Sequence, residues 1–172
     1  GDVIVAGGVE SMSRAPFVVA KSPTPYDRNC EMYDTTIGWR FANPALSELY
    51  EPFSMGETAE NVASKWSISR ESQDEFAWNS QQKWKAAFDD GIWSDEIIPV
   101  EIKQRKGDPI VVDTDEHPRP DVSLEKLSTL RPVFSKEKNA SVTPGNSSGV
   151  NDGAAAIVLV EESKAKELGL NI

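Results

Sequence analysis

The feature that most constrains the fold lies between residues 142 and 160, where small, turn-forming residues lead directly into an unbroken apolar run. Residues 143–153 are nearly all Gly, Ser, Thr, Pro, Asn or Asp, and Gly145, Gly149 and Gly153 permit a close approach by a ligand or another chain. Residues 154–160 show no alternation, which is typical of a strand buried on both faces or of a buried helix segment. Such a loop suits an elongated ligand, although a tight structural turn explains the same residues equally well.

A second strand candidate lies near the start of the chain. Residues 2–6 form a short apolar run, which Gly7 and Gly8 are expected to end. A helix over 161–168, with Gly169 as its C-terminal stop, should follow the apolar run at the far end. The two strand candidates therefore lie far apart in the sequence.

The residues between these strands differ in character, because they are rich in Pro, Trp and charge. They begin with a Pro-punctuated stretch, 15–52, that we expect to be irregular. Residues 97–103 and 110–112 are short strand candidates joined by a hairpin turn, and a short helix is expected near 124–128. We interpret residues 17–140 as an insertion between two strands of one sheet.

Two longer helices are predicted in the middle of this insertion. The first spans residues 58–66, with Thr58 as its N-cap. The second begins after Ser69, whose hydroxyl can cap it, and ends at Gly91. On the second helix, apolar and small residues recur at helical spacing, which favours a core-facing surface; they are Phe76, Ala77, Ser80, Trp84, Ala87 and Phe88.

The composition excludes several kinds of partner and site. A chain of 172 residues suggests one domain, with a subdomain, and its formal net charge of −10 disfavours nucleic acid and anionic membranes as partners. No apolar run is long enough to span a bilayer, and the first residues do not resemble a signal peptide. The single cysteine, Cys30, excludes an internal disulfide and fits a reducing compartment, so we expect a cytoplasmic protein. We expect no metal site, because one His, one Cys and scattered carboxylates are poor ligand sets.

Four motifs in one order resemble a known family. Residues 143–155, Thr-Pro-Gly-Asn-Ser-Ser-Gly-Val-Asn-Asp-Gly-Ala-Ala, are similar to the motif that closes the N-terminal half of thiolases, the acetyl-CoA acyltransferases. Three further segments match in the order of the family: Ala-Gly-Gly-Val-Glu-Ser-Met-Ser at 6–13, Ser-Met-Gly-Glu-Thr-Ala-Glu-Asn-Val-Ala at 54–63, and Leu-Arg-Pro-Val-Phe at 130–134. Residues 32–41 most resemble thiolases that cleave 3-oxoadipyl-CoA or other 3-oxoacyl-CoAs.

This resemblance implies an α/β fold with α+β character in the insertion, as a fragment of the five-layered α-β-α-β-α thiolase fold. Residues 1–16 would be a core strand and glycine-rich turn of the N-terminal domain, and 17–140 its inserted loop domain. Residues 141–172 would be the small-residue loop, a core strand and the following helix. The implied reaction converts a 3-oxoacyl-CoA and coenzyme A into acyl-CoA and acetyl-CoA, and the implied assembly is a homo-oligomer.

The resemblance assigns no catalytic residue to this chain. The family nucleophile, base and second cysteine lie in Cys-x-Ser-Gly, Gly-His-Pro and Cys-x-Gly-x-Gly contexts, none of which occurs here. Cys30 and His117 stand in other contexts, so we expect the isolated chain to be inactive. Two alternatives stay open: a non-catalytic module for coenzyme A binding or oligomerisation, and, least favoured, a cysteine hydrolase using Cys30.

The resemblance does imply a binding site for coenzyme A and acyl-CoA, as substrates that are not held covalently. Arg119 matches an arginine at the phosphate and adenine end, where its planar fork suits phosphate. Phe134 matches a residue that lines the groove, and Ser148 one that hydrogen-bonds the pantetheine amide. Met55 lies near the thioester end, and Ser54 stands where many members carry a histidine. From residue type alone, Arg119 also suits a solvated surface, Phe134 a core and Ser148 a turn.

Overall fold

The structure, a computed structural model, describes all residues from Gly1 to Ile172. Its elements in chain order are β1 (Val3–Glu10), β2 (Phe17–Val19), β3 (Met32–Asp34), α1 (Pro44–Ser47), α2 (Met55–Lys65), α3 (Arg70–Asp89), β4 (Val100–Ile102), β5 (Ile110–Val112), α4 (Leu124–Ser128), β6 (Gly153–Val160) and α5 (Glu162–Glu167), with 3₁₀ turns at Met12–Arg14 and Ile92–Asp95. They form two compact units. Unit 1 comprises Gly1–Pro52 and Val150–Ile172, and unit 2 comprises Phe53–Gly149.

Unit 1 contains the two long strands, β1 and β6, paired antiparallel. The strand predicted at 154–160 is confirmed, and the alternative of a buried helix there is excluded. The prediction that Gly7 and Gly8 end the first strand is wrong, because β1 continues to Glu10. A Cβ on Gly7 would lie 2.6 Å from the carbonyl oxygen of Ala155, so this glycine permits close strand approach instead of a turn.

The burial expected for the apolar run of β6 is wrong within this chain. The side chains of Ile157, Val158 and Leu159 are 59%, 64% and 51% exposed. Successive side chains of a strand point to opposite faces, so both faces of the sheet are exposed. The sheet has only two strands, and an isolated pair cannot bury its own faces.

The segment expected to be irregular contains a small hairpin. Strands β2 and β3 pair antiparallel, from Phe17 opposite Asp34 to Val19 opposite Met32. Each strand has only three residues, which is too short for a clear alternating pattern in the sequence. At the end of unit 1, α5 follows β6 as predicted, and Gly169 after it has a φ of 67°, as expected for a helix stop.

Unit 2 is built around two capped helices. The prediction of Thr58 as the N-cap of α2 is wrong: α2 begins at Met55, and Ser54 is its N-cap. The Ser54 hydroxyl accepts the Glu57 N–H while the Glu57 carboxylate accepts the Ser54 N–H, and this reciprocal pair fixes the helix start. For α3 the predicted cap is confirmed, because the Ser69 hydroxyl accepts the Ser72 N–H.

The apolar face predicted on α3 is only partly correct. Phe76 is 79% exposed and Phe88 is 44% exposed, whereas Asp74 is 3% exposed. The helix turns a mixed face inward, since the Asp74 carboxylate has hydrogen-bond partners there. Trp84 is half-buried and stacks on Phe88 with ring centroids 5.1 Å apart.

The remaining elements of unit 2 follow the sequence predictions closely. Strands β4 and β5 form the expected hairpin, although β4 is shorter than residues 97–103. Helix α4 spans Leu124–Ser128, as predicted, and its Leu127 is 2% exposed. No helix of the chain combines the length and the apolar composition needed to cross a membrane.

Candidate functional site

The five predicted binding residues all lie in unit 2. Phe134 packs its ring against the backbone of Gly56, in the first turn of α2. A Cβ on Gly56 would lie 2.1 Å from Cδ1 and 2.2 Å from Cγ of that ring, so only glycine admits it. Because Ser54 and Met55 immediately precede Gly56, the structure brings these two residues and Phe134 to one place. Met55 is 80% exposed and Phe134 is 38% exposed, so both side chains can reach a ligand from solution.

An open groove of about 560 Å³ runs beside Phe134. Its walls come from α2 and from residues 132–136, and include Phe53, Glu57 and Lys136. It therefore offers aromatic surface, one cation and carboxylates. Such a mixture of apolar wall and a few polar groups suits a small-molecule ligand.

Ser54 is the N-cap of α2 and also interacts with the Glu57 carboxylate. Its backbone N–H, and then its hydroxyl, hydrogen-bond Glu57 and hold the pKa of that carboxyl below its ordinary value. The helix dipole also stabilises this negative charge, because Glu57 lies in the first turn of α2. Ser54 thus fixes where α2 begins, and with it the positions of Met55 and Gly56.

The loop that carries Ser148 runs beside the segment that carries Phe134. The Val133 N–H donates to the Val142 carbonyl at 3.2 Å, which joins the two segments. The Ser147 hydroxyl donates to the Thr143 carbonyl at 2.7 Å, so the loop is closed on itself up to that residue. Ser148 follows directly, and its exposed side chain has no hydrogen-bond partner in the chain. The structure therefore presents Ser148 at the end of an ordered turn.

Arg119 lies on the loop between β5 and α4, beside α3. Its backbone N–H donates to the Gln81 side chain at 2.8 Å, and Nη1 donates to the carbonyls of Glu116, His117 and Pro118 at 2.6, 2.9 and 2.9 Å. Gln81 lies about 10 Å along the helix from Asp74, which bonds the Ser148 loop through Asn146. No hydrogen bond joins Arg119 to the other four residues, but Arg119 is anchored on the helix that supports the loop of Ser148.

Neither Cys30 nor His117 is part of a recognisable reactive site. Cys30 is a free, exposed cysteine of unit 1, and His117 lies in unit 2 on the loop before Arg119. No group of three or more His, Cys, Asp or Glu side chains is placed to hold a metal ion.

The sequence predictions missed the polar residues beneath the loop. Glu60 on α2 and Asp74 on α3 both hydrogen-bond groups of the segment 141–146. Asp74 is buried, although charged residues are rarely buried without a partner. The only sequence signal was its position on the same helical face as Ala77 and Trp78, among residues that are half-buried.

Comparison with known proteins agrees with this architecture. Residues 1–163 match the family model for the thiolase N-terminal domain. The beta-ketoadipyl-CoA thiolase of Acinetobacter baylyi is 51% identical over 168 residues, which are 98% of this chain and 41% of that protein. The 3-oxoadipyl-CoA/3-oxo-5,6-dehydrosuberyl-CoA thiolase of Escherichia coli K12 is 51% identical over 170 residues, which are 99% of this chain and 42% of that protein. The crystal structure of human mitochondrial 3-ketoacyl-CoA thiolase in complex with CoA superposes with a TM-score of 0.76 at 38% identity, covering 99% of this chain and 40% of that one.

These matches define the fold as an α/β fragment of the thiolase fold. The chain belongs to the thiolase family, in which it corresponds to the N-terminal domain. It spans about 41% of the length of the curated relatives that it matches.

Proposed function

We propose that this chain is part of a thiolase-type acyltransferase and supplies its coenzyme A-binding surface. The complete protein would convert a 3-oxoacyl-CoA and coenzyme A into acyl-CoA and acetyl-CoA. The observation that carries this proposal is the packing of Phe134 on Gly56, beside Met55 and next to the loop of Ser148. An aromatic wall beside a flexible thioether, with a partnerless hydroxyl on the adjoining loop of the same unit of a thiolase-family chain, supports the proposal.

Each of these groups suits one part of coenzyme A. Phe134 offers apolar surface to the pantetheine arm, and Ser148 can hydrogen-bond one of its amides. Met55 and Ser54 lie at the start of α2, where we propose the acyl thioester binds, and Met55 can adapt to different acyl shapes. A hydroxyl at position 54 leaves more room than the histidine of many family members.

Arg119 would bind the phosphate and adenine end. Three backbone carbonyls hold its Nη1, while Nε and Nη2 have no hydrogen-bond partner in the chain. These free donors stay available to a phosphate on a guanidinium that is already held at Nη1, so little side-chain entropy would be lost on binding. The charge-assisted pair between guanidinium and phosphate is among the stronger hydrogen bonds.

The substrate class follows from the relatives. Proteins that are 51% identical to this chain are named for beta-ketoadipyl-CoA and 3-oxoadipyl-CoA. We therefore propose a 3-oxoacyl-CoA whose acyl chain carries a second carboxylate, as formed in the breakdown of aromatic compounds. No bound metal or organic cofactor is needed in this proposal, since coenzyme A and acyl-CoA are the substrates.

The chemical step belongs to other parts of the complete protein. None of the family's Cys-x-Ser-Gly, Gly-His-Pro or Cys-x-Gly-x-Gly contexts occurs in these 172 residues, so this chain alone should bind but not turn over. The exposed faces of β1 and β6 would pack against the rest of the protein, because uncovered apolar sheets associate. We propose a cytoplasmic homo-oligomer whose partner molecules are acyl-CoAs, with neither nucleic acid nor membrane as a partner.

Steady-state thiolysis by the complete protein tests the proposal. We expect Ser148→Ala to raise the KM for coenzyme A about fivefold, the effect of one lost hydrogen bond, and Arg119→Ala to raise it about tenfold or more. Ser80→Ala and Arg105→Ala are the matched controls, because both residues are exposed and have no hydrogen-bond partner. No thiolysis of 3-oxoadipyl-CoA or acetoacetyl-CoA by the complete protein would refute the activity. Binding of coenzyme A without thiolysis would favour the non-catalytic module.

A further inference from the structure

The segment that leads to Ser148 is buried although it forms no helix or strand. Ser141, Val142 and Thr143 are 6%, 4% and 0% exposed. Buried backbone groups must find partners, and no sheet or helix ladder supplies them here. Its N–H groups find side-chain partners instead, from α2 and from the loop itself, and these partners determine the conformation of the segment.

Glu60 is the first of these side chains. Its Oε1 accepts the backbone N–H groups of Ser141 and Val142 at 3.0 and 2.9 Å. Its Oε2 accepts the Ser141 hydroxyl at 3.1 Å, while Gln73 donates to the same hydroxyl oxygen at 3.0 Å. One carboxylate on α2 therefore fixes two consecutive peptide groups of the loop.

Asn146 and Asp74 form the second attachment. The Asn146 Oδ1 accepts the Thr143 N–H at 2.7 Å, and its Nδ2 donates to the Ser141 carbonyl at 3.1 Å and to Asp74 Oδ1 at 3.0 Å. The Asp74 carboxylate also accepts from Arg70 Nε at 2.8 Å. Arg70 in turn donates to the carbonyl of Leu127 in α4 at 2.7 Å and to that of Leu130, just after α4, at 3.0 Å. A continuous network thus joins α2, α3, α4 and the loop.

We infer that Glu60 and Asp74 are positioning residues, which hold the 141–147 loop in the one conformation that presents Ser148 to the pantetheine arm. The inference rests on the proposed coenzyme A site. A loop of Gly, Ser, Thr and Pro has many accessible conformations, and a ligand that had to select one would bind more weakly. The two carboxylates make this selection before the ligand arrives, because charge-assisted hydrogen bonds are strong and directional.

Apolar packing is the competing explanation for the order of the loop. Val142 is buried, and Gly145 lies so close to Leu130 and Leu127 that a Cβ would be 2.5 and 2.6 Å from their side chains. These contacts fix how closely the loop packs against Leu127 and Leu130, but they provide no hydrogen-bond acceptor for its N–H groups. If packing were sufficient, truncation of Glu60 to alanine, which removes the acceptor of these N–H groups, would leave coenzyme A binding unchanged.

Kinetics of the complete protein separate the two explanations. We expect Glu60→Ala to raise the KM for coenzyme A about tenfold, with kcat changed less than about threefold, because it leaves two buried N–H groups unsatisfied. Glu60→Gln should stay within about threefold of wild type, since one amide oxygen can still accept both N–H groups. Glu75→Ala is the matched control, because Glu75 is the exposed neighbour of Asp74 and has no hydrogen-bond partner.

Asp74→Asn gives an independent variant should Glu60→Ala not fold. In Asp74→Asn, the new amide nitrogen must face a donor of Arg70 or of Asn146. One hydrogen bond is therefore lost, while the shape of the side chain is kept. We expect the backbone amides of 141–148 to exchange hydrogen at least about fivefold faster than in wild type. The inference would be overturned if the amides of 141–148 in Asp74→Asn exchanged at the wild-type rate. It would also be overturned if both Asp74→Asn and Glu60→Ala kept the wild-type KM for coenzyme A. A raised KM in Ser148→Ala alone would support the binding site and refute only the positioning roles.

Discussion

Replacing Gly56 by alanine disturbs the contact on which the proposed site depends. The added Cβ would lie 2.1, 2.2 and 2.7 Å from three carbons of the Phe134 ring. Non-bonded carbons approach to about 3.5–4.0 Å, so the ring must move by more than about 1 Å. Overpacking of this kind costs about 1–3 kcal/mol, whereas alanine in place of glycine within a helix gains about 0.5–1 kcal/mol. We therefore expect a net loss of about 1 kcal/mol in the local stability of α2.

In a Phe134→Ala background, the effect of Gly56→Ala on the stability of α2 should have the opposite sign. Without the ring the added methyl group meets no obstacle at that place, so Gly56→Ala should then stabilise α2 by about 0.5–1 kcal/mol. Native-state hydrogen exchange of the α2 amides in the complete protein measures both effects, and 1 kcal/mol corresponds to about a fivefold change in rate. Slower exchange of Gly56→Ala in both backgrounds would show that the ring does not occupy the space above Gly56.

Two further predictions concern the helix cap of unit 2 and the strand pair of unit 1. Ser69→Ala removes the N-cap of α3 and should destabilise that helix by about 1 kcal/mol, seen as faster amide exchange in its first turns. In unit 1 the hydroxyl and then the N–H of Ser13 hydrogen-bond Asp152 and hold its pKa below the ordinary 3.8, so this carboxylate stabilises the fold above that pH. The stabilisation is lost as pH falls through the lowered pKa. Protection factors at the start of β6 should therefore decrease below about pH 3.8 in wild type, while an Asp152→Asn variant shows no such step.

The elements that the sequence predicted well are those whose signals are local. Each of them depends on a cap or an apolar run within a few residues. They are the helix that follows Ser69, the short helix at 124–128 and the strand at 154–160. The start of α2 was missed because Thr58, the predicted cap, lies one turn after Ser54, the residue that caps the helix. The reciprocal hydrogen bonds between Ser54 and Glu57 set this earlier start.

The site was predictable only in part, for a related reason. The motifs make Phe134, Ser148 and the residues at the start of α2 candidates for the site, but the network beneath the loop joins groups that are distant in sequence. Glu60 bonds Ser141 across 81 positions, and Asp74 bonds Asn146 across 72. Periodicity cannot reveal such pairs, because it registers which face of an element is buried and not which polar group it meets there.

The most direct test of the account is a crystal structure of the complete protein with coenzyme A bound. We expect the pantetheine arm to lie against Phe134 and Ser148, with the thiol end towards Met55 and the phosphate end at Arg119. A coenzyme bound elsewhere, with none of these four side chains in contact, would contradict it.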